Sequence, residues 1–112
     1  MNVHKYKTTG GKDVIIDYIN SLSKVERVDG LTVLKCLEEN RMDELTIDRW
    51  QGKVYEIYFY RHNRLFYVAI ENTDAYLLHA CRKQKNKTEK ADSDKVIRRA
   101  KEVGEKLGKK FI

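Results

Sequence analysis

Basic side chains that could hold a polyanion are concentrated in a short run in the last third of the chain. Arg82, Lys83, Lys85 and Lys87 follow one another closely. Cations at this spacing can contact successive phosphates of one nucleic-acid backbone. A solvated, lysine-rich surface would show the same pattern. The run therefore indicates either a polyanion-binding segment or an ordinary charged surface.

Four other residues have side chains suited to phosphate binding, proton transfer or base stacking. Arg64 could hold a phosphate with two hydrogen bonds, which lysine cannot do, or it could be a surface arginine at a turn. The imidazole of His79 suits proton transfer near neutral pH, but a histidine between apolar neighbours is often a hydrogen-bonded core residue. Glu56 could act as a base or form an ion pair with Arg64. Tyr58 would share a strand face with Glu56, where it could stack on a base or simply pack.

The cysteines and histidines do not form a recognisable metal-binding pattern. Cys36 and Cys81 are far apart and neither belongs to a CxxC pair. We therefore expect reduced, buried thiols rather than a disulfide. The three histidines add no metal-ligand spacing, so neither zinc nor any other cofactor is expected.

The length and charge distribution indicate one domain, spanning residues 1–112, with a basic end. Residues 1–81 hold 11 Lys/Arg and 12 Asp/Glu, whereas residues 82–112 hold 12 and 5, so the net charge of +6 comes from the last part of the chain. A polyanionic partner, either RNA or an acidic protein segment, is expected to bind there. No apolar run approaches the about 20 residues needed to cross a bilayer, and the N-terminus has no apolar signal core. We therefore expect a cytoplasmic protein without membrane contact.

The spacing of apolar residues predicts the element order β-α-α-β-β-β-α. A short strand covers residues 2–8, and a helix begins at Asp13. Ser23 can cap a second helix, in which Gly30 could cause a break. After the strands, a last helix has Ser93 as its candidate N-cap.

The middle of the chain predicts a three-stranded antiparallel meander. Residues 53–60, 64–70 and 75–83 are rich in β-branched and aromatic residues, and short turns join them. The expected class is thus α+β, with an antiparallel sheet packed on helices on one face and open on the other. Arg64 is assigned to the open face, because burying an arginine in a helix-packed core is costly.

Several motifs in these strands and after them resemble those of a known toxin family. They are similar to the paired-strand motifs, the LLHxFxKK strand, the basic linker and the last helix of the phage-derived, HigB-like branch of the RelE/ParE toxins. Residues 45–105 carry the resemblance, although Cys81 and Gln84 depart from the family pattern. The matching segments are 54–57, 63–67, 77–83, 85–88 and 97–100.

This resemblance implies a RelE-like fold and an activity. The family cleaves messenger RNA on the ribosome, without a metal, by attack of a 2′-hydroxyl on the adjacent phosphate, and a helix-turn-helix antitoxin silences it. The residues carried over as candidate catalytic groups are Arg64, Lys83, His79 and Glu56. Those carried over as candidate RNA-binding groups are Lys85, Lys87, Arg82 and Tyr58.

Two other functions are compatible with the sequence. A ParE-like toxin would share this fold but inhibit DNA gyrase and cleave nothing. A plain binding module would hold RNA or an acidic protein with its basic end, without catalysis. The Leu77-Leu78-His79 strand followed by Arg82 and Lys83 favours the nuclease.

Overall fold

The chain folds into a mixed β-sheet with α-helices on both sides. The structure is a computed structural model that describes residues 1–83 and 88–112. The predicted α+β class is confirmed. In chain order the elements are β1 (Asn2–Lys5), α1 (Val14–Asn20), α2 (Lys24–Glu38), β2 (Thr46–Gln51), β3 (Val54–Phe59), β4 (Asn63–Ile70), β5 (Asp74–Arg82) and α3 (Lys90–Leu107).

Side-chain caps fix the start of the first two helices. An oxygen of Asp13 accepts hydrogen bonds from two backbone N–H groups in the first turn of α1. Ser23 caps α2, as predicted, and its hydroxyl also donates to Glu26 at 2.8 Å. Gly30 does not interrupt α2. An added Cβ there would lie 3.1 Å from the Phe59 ring, so this glycine lets α2 approach the sheet closely.

The sheet has the strand order β1-β5-β4-β3-β2. The predicted antiparallel meander is confirmed as β3, β4 and β5. Two features differ from the prediction. Strand β2, which the sequence pattern did not reveal, pairs with β3 at one edge. At the other edge β1 ends at Lys5 rather than at residue 8 and runs parallel to β5, so the sheet is mixed rather than purely antiparallel.

Helices α1 and α2 cover one face of the sheet, called here the first face. Strand alternation directs one set of apolar side chains from β3, β4 and β5 toward these helices. The fully buried centre of this core consists of Ile15, Ile19, Leu37, Ile57, Leu65, Ala75 and Leu77.

The opposite, second face, which was predicted to be open, is free of α1 and α2 but is partly covered. Helix α3 and the C-terminal Phe111 pack on part of it and form a second core with Val54, Phe66, Val68, Leu78, Val96 and Ala100. The predicted cap at Ser93 is wrong, because α3 begins at Lys90 and Glu89 occupies the N-cap position. None of the helices in the described ranges is long and apolar enough to span a membrane.

Candidate functional site

A group of polar side chains lies on the second face, near the turn that joins β3 to β4. Tyr58 lies directly opposite Arg64 across these two strands, and Glu56 precedes Tyr58 by two residues on β3, so all three share a face. Thr88 reaches the same place from the segment before α3, and Lys83 follows the end of β5. These five residues are called the polar cluster below.

Arg64 forms the centre of the polar cluster. Its Nη1 donates to the Thr88 hydroxyl at 2.7 Å and its Nη2 donates to the Tyr58 hydroxyl at 3.4 Å. Its Nε lies 3.4 Å from Oε2 of Glu56, which is an ion-pair distance, but the two atoms are not aligned for a hydrogen bond. Only 3% of Arg64 is exposed. The assignment to the second face is therefore correct, but the expectation that this face leaves Arg64 open to solvent is wrong, because these partners enclose it.

Glu56 is also buried, and it holds the Tyr58 hydroxyl. The phenol donates to Oε1 of Glu56 at 2.5 Å. Burial raises the pKa of Tyr58, and this hydrogen bond to the carboxylate raises it further. Of the two sequence interpretations of Glu56, the ion pair with Arg64 is therefore present. Glu56 keeps one oxygen without a hydrogen bond to any described residue, so the carboxylate retains a free acceptor.

Two cations lie beside the Tyr58 ring. The guanidinium carbon of Arg64 and the Nζ of Lys83 are each 5.3 Å from the ring centroid. Cations at this distance are attracted to the electron-rich face of an aromatic ring. Lys83 is partly exposed, whereas Arg64 is not, so Lys83 is the more accessible of these two cations.

His79 takes part in a separate hydrogen-bonded network that attaches α3 to β5. Its Nε2 lies 2.7 Å from Oδ1 of Asp92, and its Nδ1 lies 3.0 Å from Nη1 of Arg99. Because arginine can only donate, Nδ1 must accept and the proton must be on Nε2, which assigns the neutral tautomer. Burial lowers the pKa of His79, while the hydrogen bond to Asp92 opposes that shift. Both ring nitrogens are thus occupied, which favours the core interpretation of this histidine.

The same region contains the one group of three side chains in the described part of the chain whose ligand atoms are placed where they could hold a metal ion. Ligand atoms of His79, Cys81 and Asp92 lie within 4.8 Å of one another. A neutral imidazole that coordinates a metal through Nε2 carries its proton on Nδ1, but here Nδ1 faces a donor of Arg99. Burial raises the pKa of the Cys81 thiol to about 12, whereas a metal binds the thiolate. The geometry therefore fits a hydrogen-bonded network better than a metal site. Cys36 and Cys81 are both free and buried, as predicted.

Arg82 lies apart from the polar cluster, because alternation along β5 places it on the first face. There its Nη2 donates to Glu26 at 2.9 Å, and the amide of Asn63 donates to the same oxygen at 3.2 Å. Hydrogen bonds from Ser23 and Asn63, followed by that from Arg82, lower the pKa of Glu26 to about 2. The Arg82 side chain remains 43% exposed at its edge. Lys85 and Lys87 lie outside the described residues.

Sequence reasoning missed two residues that orient Arg64. Thr88 accepts from Arg64 and also from the indole Nε1 of Trp50, at 3.2 Å. Trp50 packs edge-on against Phe66, with ring centroids 5.3 Å apart. The one signal available was that Trp50 is the only tryptophan of the chain, in a segment otherwise rich in charged residues.

Comparison with known families gives one match. The model of the family described as phage-derived protein Gp49-like (DUF891) matches residues 17–101, from α1 into α3. No curated protein matches the chain significantly. Because the matched region covers most of the sequence and nearly all of the sheet, the chain belongs to the phage-derived Gp49-like family, a family of RelE-like toxins from toxin–antitoxin systems.

Proposed function

We propose that this protein is the toxin of a toxin–antitoxin pair and acts as a ribosome-dependent mRNA endonuclease of the HigB type. The observation that supports this most strongly is the polar cluster. It combines two cations, Arg64 and Lys83, with the phenol of Tyr58 and the carboxylate of Glu56 on one part of the sheet. Membership of the Gp49-like family supports the assignment of the protein as a toxin.

The proposed reaction is attack of an RNA 2′-hydroxyl on the adjacent phosphate, which leaves a cyclic phosphate and a free 5′-hydroxyl. It requires a base near the 2′-hydroxyl, cations to stabilise the growing negative charge on the phosphate, and a donor for the leaving oxygen. Side chains can meet these needs without a metal. DNA lacks the 2′-hydroxyl, so RNA is the substrate.

Each member of the polar cluster has a proposed role in this reaction. Lys83 meets the phosphate first, because it is the more exposed cation. Arg64 then exchanges its hydrogen bond with the Thr88 hydroxyl for one with a phosphate oxygen. Glu56, whose Oε2 accepts no hydrogen bond from a described residue, is the candidate base of the polar cluster. Tyr58 is protonated at neutral pH, as a phenol is even at its ordinary pKa of about 10, and is the proposed donor of the proton that the leaving 5′-oxygen takes up.

The remaining candidates have supporting roles in the proposal. Lys85 and Lys87, together with Arg82, hold the RNA backbone, and His79 positions α3 rather than transferring protons. The partners are messenger RNA on cytoplasmic ribosomes and an antitoxin of the helix-turn-helix type, which covers the basic surface when the toxin is silent.

Induction of the protein alone tests the proposal. Growth should stop, and sequencing of RNA 5′ ends should reveal new ends inside translated regions, in step with the reading frame. Purified protein should cleave messenger RNA bound to ribosomes far faster than the same RNA free in solution. Growth arrest with intact messenger RNA and failing supercoiling would instead favour gyrase inhibition. RNA binding without cleavage would favour a binding module.

A further inference from the structure

The turn that joins β3 to β4 has an unusual backbone conformation. Phe59 and Asn63 are the last residues to pair across the two strands, so Tyr60, Arg61 and His62 form the turn. Tyr60 and Arg61 have positive φ angles of 31° and 66°. Bulky residues rarely adopt this conformation, which glycine or asparagine adopts at lower cost. The sequence therefore places large side chains where small ones would cause less strain.

Hydrogen bonds from three parts of the chain hold this turn. The backbone N–H of Tyr60 donates to Oδ2 of Asp29 on α2 at 2.8 Å, and the side-chain amide of Asn63 donates to the carbonyl oxygen of Tyr60 at 3.2 Å. The backbone N–H of Lys83 donates to the carbonyl oxygen of His62. A strained backbone persists only where its surroundings fix it, and such positions are concentrated at binding and catalytic sites. The turn is therefore a rigid support for the side chains that it carries.

The aromatic ring of Tyr60 is displayed on this support. Its exposed fraction is 36%, and every other aromatic residue of the chain is less exposed. No aromatic ring among the described residues stacks on it. The guanidinium carbon of Arg61 lies 5.7 Å from the ring centroid, close to the limit of about 6 Å for a cation–π contact. The ring therefore has surface available for a further partner.

The turn also borders an open cleft on the side of the first face. The cleft has a volume of about 390 Å³ and lies between α2 and the edge formed by β2 and β3. Asp29, Thr32, Thr46 and Tyr60 are among its lining residues. Oδ2 of Asp29 holds the turn, whereas Oδ1 accepts no hydrogen bond from a described residue. A carboxylate oxygen in this position can accept an N–H group of a nucleobase.

We propose that Tyr60 is a base-stacking residue, which binds a base of the single-stranded RNA whose phosphate lies at Lys83. Tyr60 follows Tyr58 by two positions, and the carbonyl oxygen of His62 bonds the backbone of Lys83, so the turn adjoins the polar cluster. A base next to that phosphate stacks on the Tyr60 ring and extends into the cleft, where Oδ1 of Asp29 accepts one of its N–H groups. The inference rests on the proposed function, because it assigns a base-binding site to the same RNA.

The surroundings of Tyr60 favour a nucleobase over a protein partner. A tyrosine that anchors a protein normally lies at the centre of a largely apolar patch. Around Tyr60 the exposed residues are polar, among them His62 in the turn and Thr32 on α2. Single-stranded RNA instead combines phosphates, which bind cations such as Lys83, with planar bases, which stack on a free aromatic ring.

Binding of two probes to the full chain at low salt tests the proposal. Hexauridylate carries bases, whereas linear inorganic polyphosphate of about the same charge carries none. Tyr60→Leu should weaken binding of hexauridylate about tenfold or more, because one stacked base loses its aromatic partner, and should change binding of polyphosphate less than about twofold. Tyr60→Phe keeps the ring and should bind both probes as the parent does. Lys83→Gln should weaken binding of both.

Tyr76→Leu is the matched control. It removes another partly exposed tyrosine, near the start of β5 and thus at the opposite end of this strand from Lys83, and should leave both affinities within about twofold of the parent. Circular dichroism reports whether each variant is folded. The polyphosphate affinity of Tyr60→Leu reports whether the surface around Lys83 is intact.

Four results would overturn the proposal. They are unchanged hexauridylate binding by Tyr60→Leu, equal losses of that variant on both probes, an equal loss in Tyr76→Leu, and no measurable hexauridylate binding by the parent. The titrations do not depend on cleavage. Cleavage on ribosomes together with unchanged hexauridylate binding by Tyr60→Leu would defeat this inference alone, whereas hexauridylate binding that depends on Tyr60, with messenger RNA left intact in cells, would defeat the nuclease proposal alone.

Discussion

The Nε of Arg64 lies 3.4 Å from Oε2 of Glu56 across neighbouring strands, and neither atom forms a hydrogen bond with any described residue. Both side chains are almost fully buried. The two charges neutralise each other, but the Nε–H donor of Arg64 and the Oε2 acceptor of Glu56 have no hydrogen-bond partner among the described residues. Buried polar groups are normally hydrogen-bonded, so this donor and this acceptor both have room for a further partner.

The first prediction concerns the stability of this ion pair. Glu56→Gln or Arg64→Gln alone should lower the free energy of unfolding by about 3 kcal/mol, because each leaves a buried charge without its partner. The double variant should lose clearly less than the sum of the two. Urea unfolding measures all three. The pair of Arg41 and Glu44, whose side chains are 39% and 50% exposed, serves as the control, where the same substitutions should cost less than about 1 kcal/mol. Strictly additive losses at Glu56 and Arg64 would show that the two charges do not interact.

The second prediction concerns pH. Because the pKa of His79 is lowered by folding, the unfolded chain binds more protons than the folded chain just below the unfolded pKa of about 6.5. The stability should therefore fall as the pH drops through about 6.5. Glu26 and Asp74 also have lowered pKa values, but their contributions are lost only at more acidic pH. Urea unfolding between about pH 8 and about pH 5 should show a weaker pH dependence for His79→Gln, and an unchanged dependence would contradict this account.

The third prediction concerns how the C-terminus is held on the second face. Gly52 has a positive φ of 54°, and an added Cβ would lie 2.5 Å from the backbone oxygen of Phe111. Gly52→Ala should therefore destabilise the fold by about 2 to 3 kcal/mol, through backbone strain and the clash together. Gly11→Ala is the control, because Gly11 also has a positive φ but its Cβ would meet nothing within 4 Å. Equal losses of stability in Gly52→Ala and Gly11→Ala would show that the clash with the backbone oxygen of Phe111 does not contribute.

The fourth prediction concerns binding by Lys83. Lys83→Gln should weaken binding to ribosomes carrying messenger RNA and reduce the slope of log affinity against log salt by about 0.7, as expected for one lost contact with a single-stranded phosphate. Lys24→Gln on α2 removes the same charge away from the polar cluster and should leave the slope unchanged. If both variants behave alike, Lys83 acts only through net charge.

The meander and the first two helices could be predicted because their signals are local. Alternation and short turns define β3 to β5, and Ser23 caps α2 as its sequence context suggests. Strand β2 was not predicted because it offers only one apolar side chain to each face: Ile47 packs against the first core and Trp50 against the second. The pairing register shifts between Arg49 and Gln51, and this irregularity breaks the two-residue period that reveals a strand.

The enclosure of Arg64 could not be predicted for a different reason. Alternation correctly places Arg64 on the second face, but the partners that bury it come from separate elements. Thr88 is 24 positions away in the sequence, and Trp50, which also bonds Thr88, lies on the strand that the pattern did not show. The parallel pairing of β1 with β5 is equally non-local, since it joins residues more than 70 positions apart.

Single-turnover cleavage of ribosome-bound messenger RNA by Arg64→Lys tests the central claim most directly. The substitution keeps the positive charge but removes the planar fork, so the loss should fall on transition-state stabilisation rather than on binding. We predict a cleavage rate reduced by about 100-fold or more, with ribosome affinity nearly unchanged, while Arg61→Lys at the neighbouring exposed turn cleaves at the parental rate. Circular dichroism confirms that each variant is folded. Cleavage by Arg64→Lys at the parental rate would contradict the assignment of Arg64 to the reacting phosphate.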